Sequence, residues 1–182
     1  MQAFVARAVP LVAALTLAAC ATTPPAPVFS QDALPDAVKV PAGHRVAMET
    51  VGVGEITYEC RAKAQAAGSF EWAFVGPKAD LQNRAGAKVG TYFGPPATWA
   101  ADDGSRVTGA QLAVAPASAG NLPLQLVKAN PATGAGALVG VAYIQRVATR
   151  GGVAPASACD AGTAGRREIV KYQADYILWK PV

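Results

Sequence analysis

The chain has 182 residues, enough for one domain of ordinary size. It has 16 lysines and arginines against 12 aspartates and glutamates, so its formal net charge is +4 with the one histidine neutral. These basic residues are scattered and form no patch, which argues against a nucleic-acid partner. One histidine and three cysteines also supply no set of ligands for a metal ion, so no metal site is predicted.

Residues 1–19 have the layout of a secretory signal peptide. Arg7 precedes an apolar run over 9–19, which is shorter than the roughly 20 residues that a membrane-spanning helix needs. The run ends in Leu-Ala-Ala-Cys at 17–20, which resembles the lipobox of bacterial lipoproteins. This resemblance implies cleavage before Cys20 and attachment of lipid to its thiol and to its new amino group. A signal peptide with a chance cysteine is the alternative.

Residues 20–37 follow as a proline-rich tether, in which Pro24, Pro25 and Pro27 favour extended backbone. Ala21 stands directly after the cysteine, where similarity to proteobacterial lipoproteins associates Asp with retention in the inner membrane. We therefore predict a lipid anchor in the outer membrane, with the membrane itself as one partner. The domain that follows, residues 38–182, is predicted to face the periplasm.

Cys60 and Cys159 remain in the exported part of the chain. An even pair of cysteines in an oxidising compartment is most simply a disulfide. The separation of 159 − 60 = 99 residues means that such a bond would close a long loop, which stabilises a fold by restricting its unfolded chain. We predict that these two residues are bonded to each other.

Alternation with period two dominates the domain and predicts strands. The clearest runs are EITYEC at 55–60, FEWAFV at 70–75 and EIVKYQADYILW at 168–179. The run ALVGVAYIQRV at 137–147 is apolar on both faces at its start and predicts a central strand. Shorter candidates are HRVAMETV, KVGTYF, SRVTGAQLAV and LPLQLVKA. About eight strands with glycine- and proline-rich turns predict an all-β fold, either a sandwich or a small barrel.

Two further segments, 61–68 and 77–86, have the composition of one or two turns of helix. A set of aromatic residues falls on positions that face inwards if the alternation is regular. Its members are Tyr58, Phe70, Trp72, Phe74, Tyr172 and Tyr176. They pack in the core in one interpretation and line the cavity of a small barrel in the other.

The strongest candidate for a ligand site is the segment TWAADDGSRV at 98–107. Asp102, Asp103 and Ser105 could bind a cation through oxygen atoms, and Trp99 could stack on a sugar or another planar ligand. The alternative is structural, because Asp-Gly is a strong hairpin signal and aspartate side chains cap turns. Both interpretations remain open from the sequence.

No catalytic residues are assigned. His44 is the only imidazole, it stands where the domain begins, and no G-x-S-x-G sequence accompanies it. No G-x-G-x-x-G turn leads from a strand into a helix, so no nicotinamide or other cofactor is predicted. The alternative to a non-enzymatic domain is a hydrolase or isomerase that uses Asp102 or Asp103 with Glu71 or Asp175. That chemistry requires the carboxylates to share a cleft.

The blocks GEITYEC, FEWAFVGPKADLQNRAGAKVGTYFGPPATWAADDGSRVTG, LVGVAYIQRVATRGGVAPASACD and VKYQADYILW resemble, in this order, the family called domain of unknown function 3455. The resemblance covers about 38–182 and implies an exported, mostly β protein with no established activity. Tyr92 stands where this family often has His, and we include it in the candidate ligand site. The sequence thus predicts an envelope lipoprotein with a non-enzymatic domain, which either binds a small molecule, a glycan or an envelope protein or has a structural role.

Overall fold

The computed structural model describes residues 29–182. The predicted signal peptide, the lipidation site Cys20 and the tether as far as residue 28 lie outside the described residues. The regular elements are a short 3-10 helix, Asp36–Val38, and eight β-strands. The strands are β1 His44–Ala62, β2 Phe70–Gln82, β3 Lys88–Phe93, β4 Thr98–Ala101, β5 Arg106–Ala115, β6 Leu124–Ala129, β7 Tyr143–Gly151 and β8 Arg167–Pro181.

The sheet closes on itself. Each strand pairs antiparallel with the next one, and β8 pairs with β1, so the eight strands form a closed barrel. The all-β class and the number of strands are confirmed, and of the two predicted architectures the barrel is the one found. β1 and β8 are the longest strands, and they pair from His44 opposite Pro181 to Glu59 opposite Arg167. Closure leaves no unpaired strand edge in the sheet.

The prediction of helical turns in 61–68 and 77–86 is wrong. Strand β2 continues to Gln82, because Ala79 and Leu81 face the interior while Lys78 and Asp80 face solvent. The remaining residues form a tight hairpin in which the Asn83 side chain accepts hydrogen bonds from two backbone N–H groups. Residues 61–68 end β1 and form the turn into β2, without a helix.

The predicted strand 137–147 is wrong in its first half. Strand β7 begins at Tyr143, and residues 137–142 form a turn that folds under the barrel. Gly134, Gly136 and Gly140 have φ angles of 75°, 147° and 80°, which only glycine adopts readily, and they bend this segment away from the sheet. Leu138 and Val141 of the segment are therefore buried in a turn, whereas Val139 is exposed.

The hairpins define two ends of the barrel. We call the end that carries the connections 63–69, 94–97, 116–123 and 152–166 the upper end, and the opposite one the lower end. The lower half of the interior is filled by Trp99 and by aliphatic side chains from several strands. Leu138 and Val141 of the turn 137–142 belong to the same cluster, so this turn plugs the lower end.

A second apolar cluster lies outside the barrel. The segment 29–40, which we call the strap, covers the outer face of β5 to β8. Its Val38 and Val40 are buried against Ile177 and Trp179, and the Phe29 ring lies 6.3 Å from the Trp179 ring. The strap includes residues 29–37, which the sequence analysis assigns to the tether. They contact the barrel because their apolar side chains find an apolar sheet face there.

Gln145 connects the strap to the barrel. Its amide group donates hydrogen bonds to the Val38 carbonyl at 2.6 Å and to the Gln31 side chain at 3.1 Å, and it accepts one from the Trp179 indole at 2.9 Å. Gln31 in turn bonds both backbone polar groups of Val40. Gln145 is fully buried, and these partners satisfy its amide group.

Cys60 and Cys159 form the predicted disulfide, with their Cα atoms 5.5 Å apart. The bond joins the upper end of β1 to the long connection between β7 and β8. It therefore fixes a connection whose two ends already belong to neighbouring strands.

We predict that Gln145→Leu loosens the strap. The substitution keeps the volume of the side chain but leaves the Val38 carbonyl and the Trp179 N–H without partners in an apolar environment. We expect a loss of about 2 to 4 kcal/mol in the free energy of unfolding, and a melting temperature lower by about 5 to 10 °C. Thermal unfolding followed by circular dichroism measures it.

Gln173→Leu is the matched control, because Gln173 is half-buried on the neighbouring strand and its side chain makes no hydrogen bond to the described residues. Equal melting temperatures for the two variants would contradict the assigned role of Gln145.

Candidate functional site

A cavity of about 340 Å³ opens at the upper end of the barrel. Its wall is largely apolar and includes Phe74, Pro77, Pro95, Ala97, Leu122 and Val127. Phe74 is 53% exposed and stands at the rim, where a β-bulge shifts the pairing of β2 with β1. Eight-stranded barrels have room for filling side chains or for one small ligand, and here the lower half is filled and the upper half is open.

A smaller recess of about 40 Å³ adjoins this cavity deeper in the barrel. The two spaces share Phe74, Pro77, Leu122, Tyr92 and Arg146 in their walls. The recess is also lined by Tyr172 and Tyr176, which are buried on the inner face of β8. Tyrosine hydroxyl groups and one guanidinium group therefore lie around the recess, and its other wall residues are apolar.

Arg146 is the only charged residue in the wall of either space among the described residues. It faces inwards because β7 alternates, with Ile144 on the same inner face and Gln145 on the outer one. Its Nε and Nη2 atoms donate hydrogen bonds to the Pro123 carbonyl at 3.2 and 3.0 Å. These two bonds fix the plane of the guanidinium group and leave Nη1 uncommitted.

The tyrosines form one cluster around the recess. The Tyr92 ring lies 4.9 Å from the Tyr176 ring, and the Tyr172 and Tyr176 hydroxyl oxygens are 3.3 Å apart. A side chain on Gly52 would overlap the Tyr176 ring, so glycine at this position of β1 makes room for it. Tyr58 belongs to the same inner face, and its hydroxyl donates to the Gly152 carbonyl at 2.8 Å.

Burial raises the pKa of Tyr92, Tyr172 and Tyr176, and the nearby charge of Arg146 acts in the opposite direction on each pKa. An environment of low polarity disfavours the phenolate form. The three hydroxyl groups are therefore protonated at neutral pH and can donate hydrogen bonds to a ligand. They are unsuited to act as bases.

The structure separates the predicted ligand residues. Tyr92 lines both the cavity and the recess. Trp99 is only 1% exposed, and its ring packs 4.8 Å from Tyr92, beneath the cavity, so it cannot stack on a ligand from the surface. Its indole N–H has no hydrogen-bond partner in the described part of the chain.

Asp102, Asp103 and Ser105 lie in the turn between β4 and β5 at the lower end, away from the cavity. Asp103 accepts hydrogen bonds from the Ser105 hydroxyl at 2.6 Å and from the Ala137 N–H at 2.6 Å. Ser105 is buried, and its hydroxyl accepts from the Leu138 N–H at 3.2 Å. Asp103 and Ser105 thus hold the plug 137–142 in place, while Asp102 is exposed. We call this pair the latch.

The carboxylates of the hydrolase alternative do not come together. Glu71 lies at the upper end, whereas Asp102 and Asp103 lie at the lower end. Asp175 faces outwards on β8 and binds Arg84 at 2.7 Å. None of the four lines the cavity or the recess. These four carboxylates therefore do not share the cleft that the two-carboxylate chemistry requires.

Some members of the predicted inward aromatic set pack in the core, and others line the cavity or the recess. Tyr58, Tyr172 and Tyr176 are buried in the core, and the last two also line the recess, whereas Phe74 lines the open cavity. His44 lies at the start of β1, where its Nδ1 is 3.0 Å from the Pro41 carbonyl and its ring meets Tyr143. It takes no part in the cavity.

A family model described as "Protein of unknown function (DUF3455)" matches residues 41–180. The chain belongs to the DUF3455 family. The match runs from just before β1 into β8, so the family domain is the whole barrel. No curated protein and no solved structure matches the chain.

Sequence reasoning missed Arg146, Gln111 and Gln125 as site residues of this DUF3455 domain. The three lie on the inner faces of β7, β5 and β6, and the Gln125 side chain donates to Gln111 at 2.6 Å. A signal was present for Arg146, because strict alternation along AYIQRV places an arginine on the same face as Ile144. An arginine that alternation places on the inner face of a small barrel is therefore a candidate site residue.

Two further findings concern possible metal ligands and membrane-spanning helices among the described residues. They include no cluster of three or more His, Cys, Asp or Glu residues that could hold a metal ion. Between residues 29 and 182 no helix has the length and apolar character to cross a membrane.

We predict that Asp103→Ala frees the plug at the lower end. The variant loses the acceptor for the Ser105 and Ala137 groups, so amides of 137–142 should exchange with solvent as fast as those of the exposed loop 116–121. Hydrogen exchange read by mass spectrometry measures this. Asp102→Ala is the control, since that neighbouring side chain is exposed, and equal exchange in both variants would contradict the latch.

The latch also predicts a dependence on pH. The hydrogen bonds from Ser105 and from the Ala137 and Ser105 N–H groups lower the pKa of Asp103 in the folded protein. The latch is therefore complete above the ordinary aspartate pKa of about 3.9, and it weakens as the pH falls through the lower folded value. Protection of 137–142 should fall over that range in the native protein and stay low throughout in Asp103→Ala.

Proposed function

We propose that this DUF3455 protein is a lipid-anchored binding protein of the bacterial cell envelope, which holds a small molecule in its barrel without chemical conversion. The observation that carries the proposal is the open cavity above a filled core. Its volume of about 340 Å³ falls within the range of small-molecule sites, and its wall combines apolar surface with a few polar groups. This is the composition that favours reversible binding.

The chemistry of the wall supports a non-enzymatic role. Among the described residues, the walls of the cavity and the recess contain no carboxylate, imidazole, thiol or aliphatic hydroxyl group. A nucleophile with an adjacent base, or an acid and a base, is what hydrolytic and isomerase reactions need. The groups present, a guanidinium, two glutamine amides and protonated phenols, bind and orient a ligand instead.

The envelope location is supported by two features of the chain. The Leu-Ala-Ala-Cys sequence at 17–20 follows an apolar run of signal-peptide length. The disulfide between Cys60 and Cys159 fits a protein that folds in an oxidising compartment such as the periplasm. A lipid on Cys20 would hold the barrel close to the membrane, with the residues between Cys20 and the strap as the connection.

We predict that Cys20→Ser releases the protein from membranes. Without the thiol no lipid is attached, and two or more acyl chains are what makes such anchoring stable. Fractionation of cells that produce the native chain and the variant measures the change. Ala21→Ser should leave the protein with the membranes and serves as the control; a Cys20→Ser protein that still sediments with membranes would contradict the anchor.

We predict that Gln111→Trp blocks binding in the cavity. Gln111 is exposed at the wall of the cavity, so an indole ring there would occupy its volume at little cost to the fold. The Cys20→Ser chain, which has no thiol at residue 20 to carry a lipid, is incubated with a periplasmic extract and analysed by native mass spectrometry. We expect one bound small molecule, and its loss in the Gln111→Trp variant.

Leu112→Trp is the matched control for this experiment. Leu112 is the adjacent residue, it is 56% exposed, and it does not line the cavity. Retention of the bound species by Leu112→Trp and its loss in Gln111→Trp would support the proposal. If the Cys20→Ser chain without a further substitution showed no bound species in any extract, or if both variants bound equally, the proposal would be contradicted.

A further inference from the structure

Arg146 is a positive charge in the barrel wall for which the described residues provide no counter-ion. Their ion pairs involve the outer surface, as in Arg84 with Asp175 and Lys171 with Glu55, and none of them includes Arg146. Within 29–182, the guanidinium group of Arg146 donates hydrogen bonds only to the neutral Pro123 carbonyl. A half-buried charge without a counter-ion is unfavourable, and an anion beside it would relieve this cost.

The orientation of the Arg146 guanidinium group is fixed before an anion binds. Because Nε and Nη2 both bond the Pro123 carbonyl, the side chain is restrained before any ligand arrives. Restraint of this kind lowers the entropy cost of binding. The uncommitted Nη1 atom can donate to an oxygen in the cavity or the recess, both of which Arg146 lines.

The recess provides further donors at the same place. Tyr92, Tyr172 and Tyr176 carry three hydroxyl protons, and a chain of three hydroxyl groups makes at most two internal hydrogen bonds. At least one O–H therefore remains to donate to a ligand. The volume of about 40 Å³ accommodates roughly three waters at 10 to 15 Å³ each, or one group of the size of a carboxylate.

The outer cavity has a different character. Phe74, Pro77, Pro95 and Val127 present apolar surface, and the paired amides of Gln111 and Gln125 form the polar part of the wall. It has several times the volume of the recess. A ligand that fills both spaces thus has an apolar body and a small charged end.

We infer that the ligand of this cavity is a small amphiphilic carboxylate, with its carboxylate group beside Arg146 and the tyrosine hydroxyls and its apolar body in the outer cavity. The inference depends on the proposed function, because it names the class of molecule that the same cavity binds. A phosphate ester carries more charge and a larger head than the recess accommodates, so it should bind less well.

The experiment compares acids with their neutral amides. The Cys20→Ser chain is titrated by isothermal calorimetry with 2-naphthoate and 2-naphthamide, and with hexanoate and hexanamide. Each pair has the same body and differs in the charge of its end. We expect at least one acid to bind about tenfold or more tightly than its amide, as charge-assisted hydrogen bonds would give. Acetate and naphthyl phosphate test the charged group without a body and with a larger head.

Arg146→Gln should remove the preference for the acid, so that acid and amide bind alike. Arg150→Gln is the matched control, because Arg150 belongs to the same strand, is exposed and lies outside the cavity wall; it should keep the preference. The melting temperature of each variant is measured in parallel. If Arg146→Gln fails to fold, Arg146→Lys, which keeps the charge but cannot reproduce the planar donors, should show a reduced preference.

The outcomes separate the inference from the proposed function. Acids and amides that bind equally well to the Cys20→Ser chain without a further substitution would leave a binding protein and overturn the inference. Acetate that binds as tightly as the larger acids would also overturn it, since the apolar body would then contribute nothing. No binding by any acid or amide, together with no bound species from extracts, would overturn both.

Discussion

The pairing of β1 with β8 is the interaction on which the rest of the structure depends. Both strands extend along the full barrel, and their hydrogen bonds turn a sheet with two open edges into a ring. Only in a ring do the inner faces of β3, β7 and β8 meet, which brings Tyr92, Arg146 and Tyr176 together from distant parts of the sequence. The cavity is thus a consequence of closure.

The interior of the closed barrel has a filled lower half and an open upper half. The plug 137–142 and Trp99 fill the lower half, and the latch of Asp103 and Ser105 keeps the plug in position. At the upper end, the described connection 116–123 contributes Leu122 to the walls of the cavity and the recess, and the cavity stays open. The strap adds a second apolar layer outside and protects β5 to β8 without occupying the interior.

Much of the fold could be predicted, because alternation and turn signals are local. The run at 168–179 lies within β8, and KVGTYF is β3 without change. The two cysteines could be paired because they are the only two that remain after Cys20 is assigned to the predicted lipid anchor. The prediction of a strand over 137–147 was wrong in its first half because glycines bend the chain there. The contact of residues 29–37 with the outer sheet face could not be predicted because it depends on tertiary structure.

The candidate site was harder to predict because it also depends on tertiary structure. Carboxylates in a turn suggest a ligand, but the geometry uses Asp103 to accept hydrogen bonds from the chain itself. Arg146 was not predicted as a site residue because a single arginine in a strand resembles a surface residue. Only the closed sheet shows that its side chain faces the interior. Its significance lies in the absence of a carboxylate near it among the described residues, which a sequence cannot reveal.

Hydrogen exchange of the native protein, resolved along β1 and β8, tests the closed barrel most directly. If the two strands pair as described, amides of 50–59 and 169–177 should be among the slowest in the chain and should exchange together in one cooperative opening. If the amides of β1 and β8 that bond across this seam exchanged as fast as those of the loop 116–121, while those bonded to β2 and β7 stayed protected, the sheet would be open, and the shared site of Arg146 and the tyrosines would not exist.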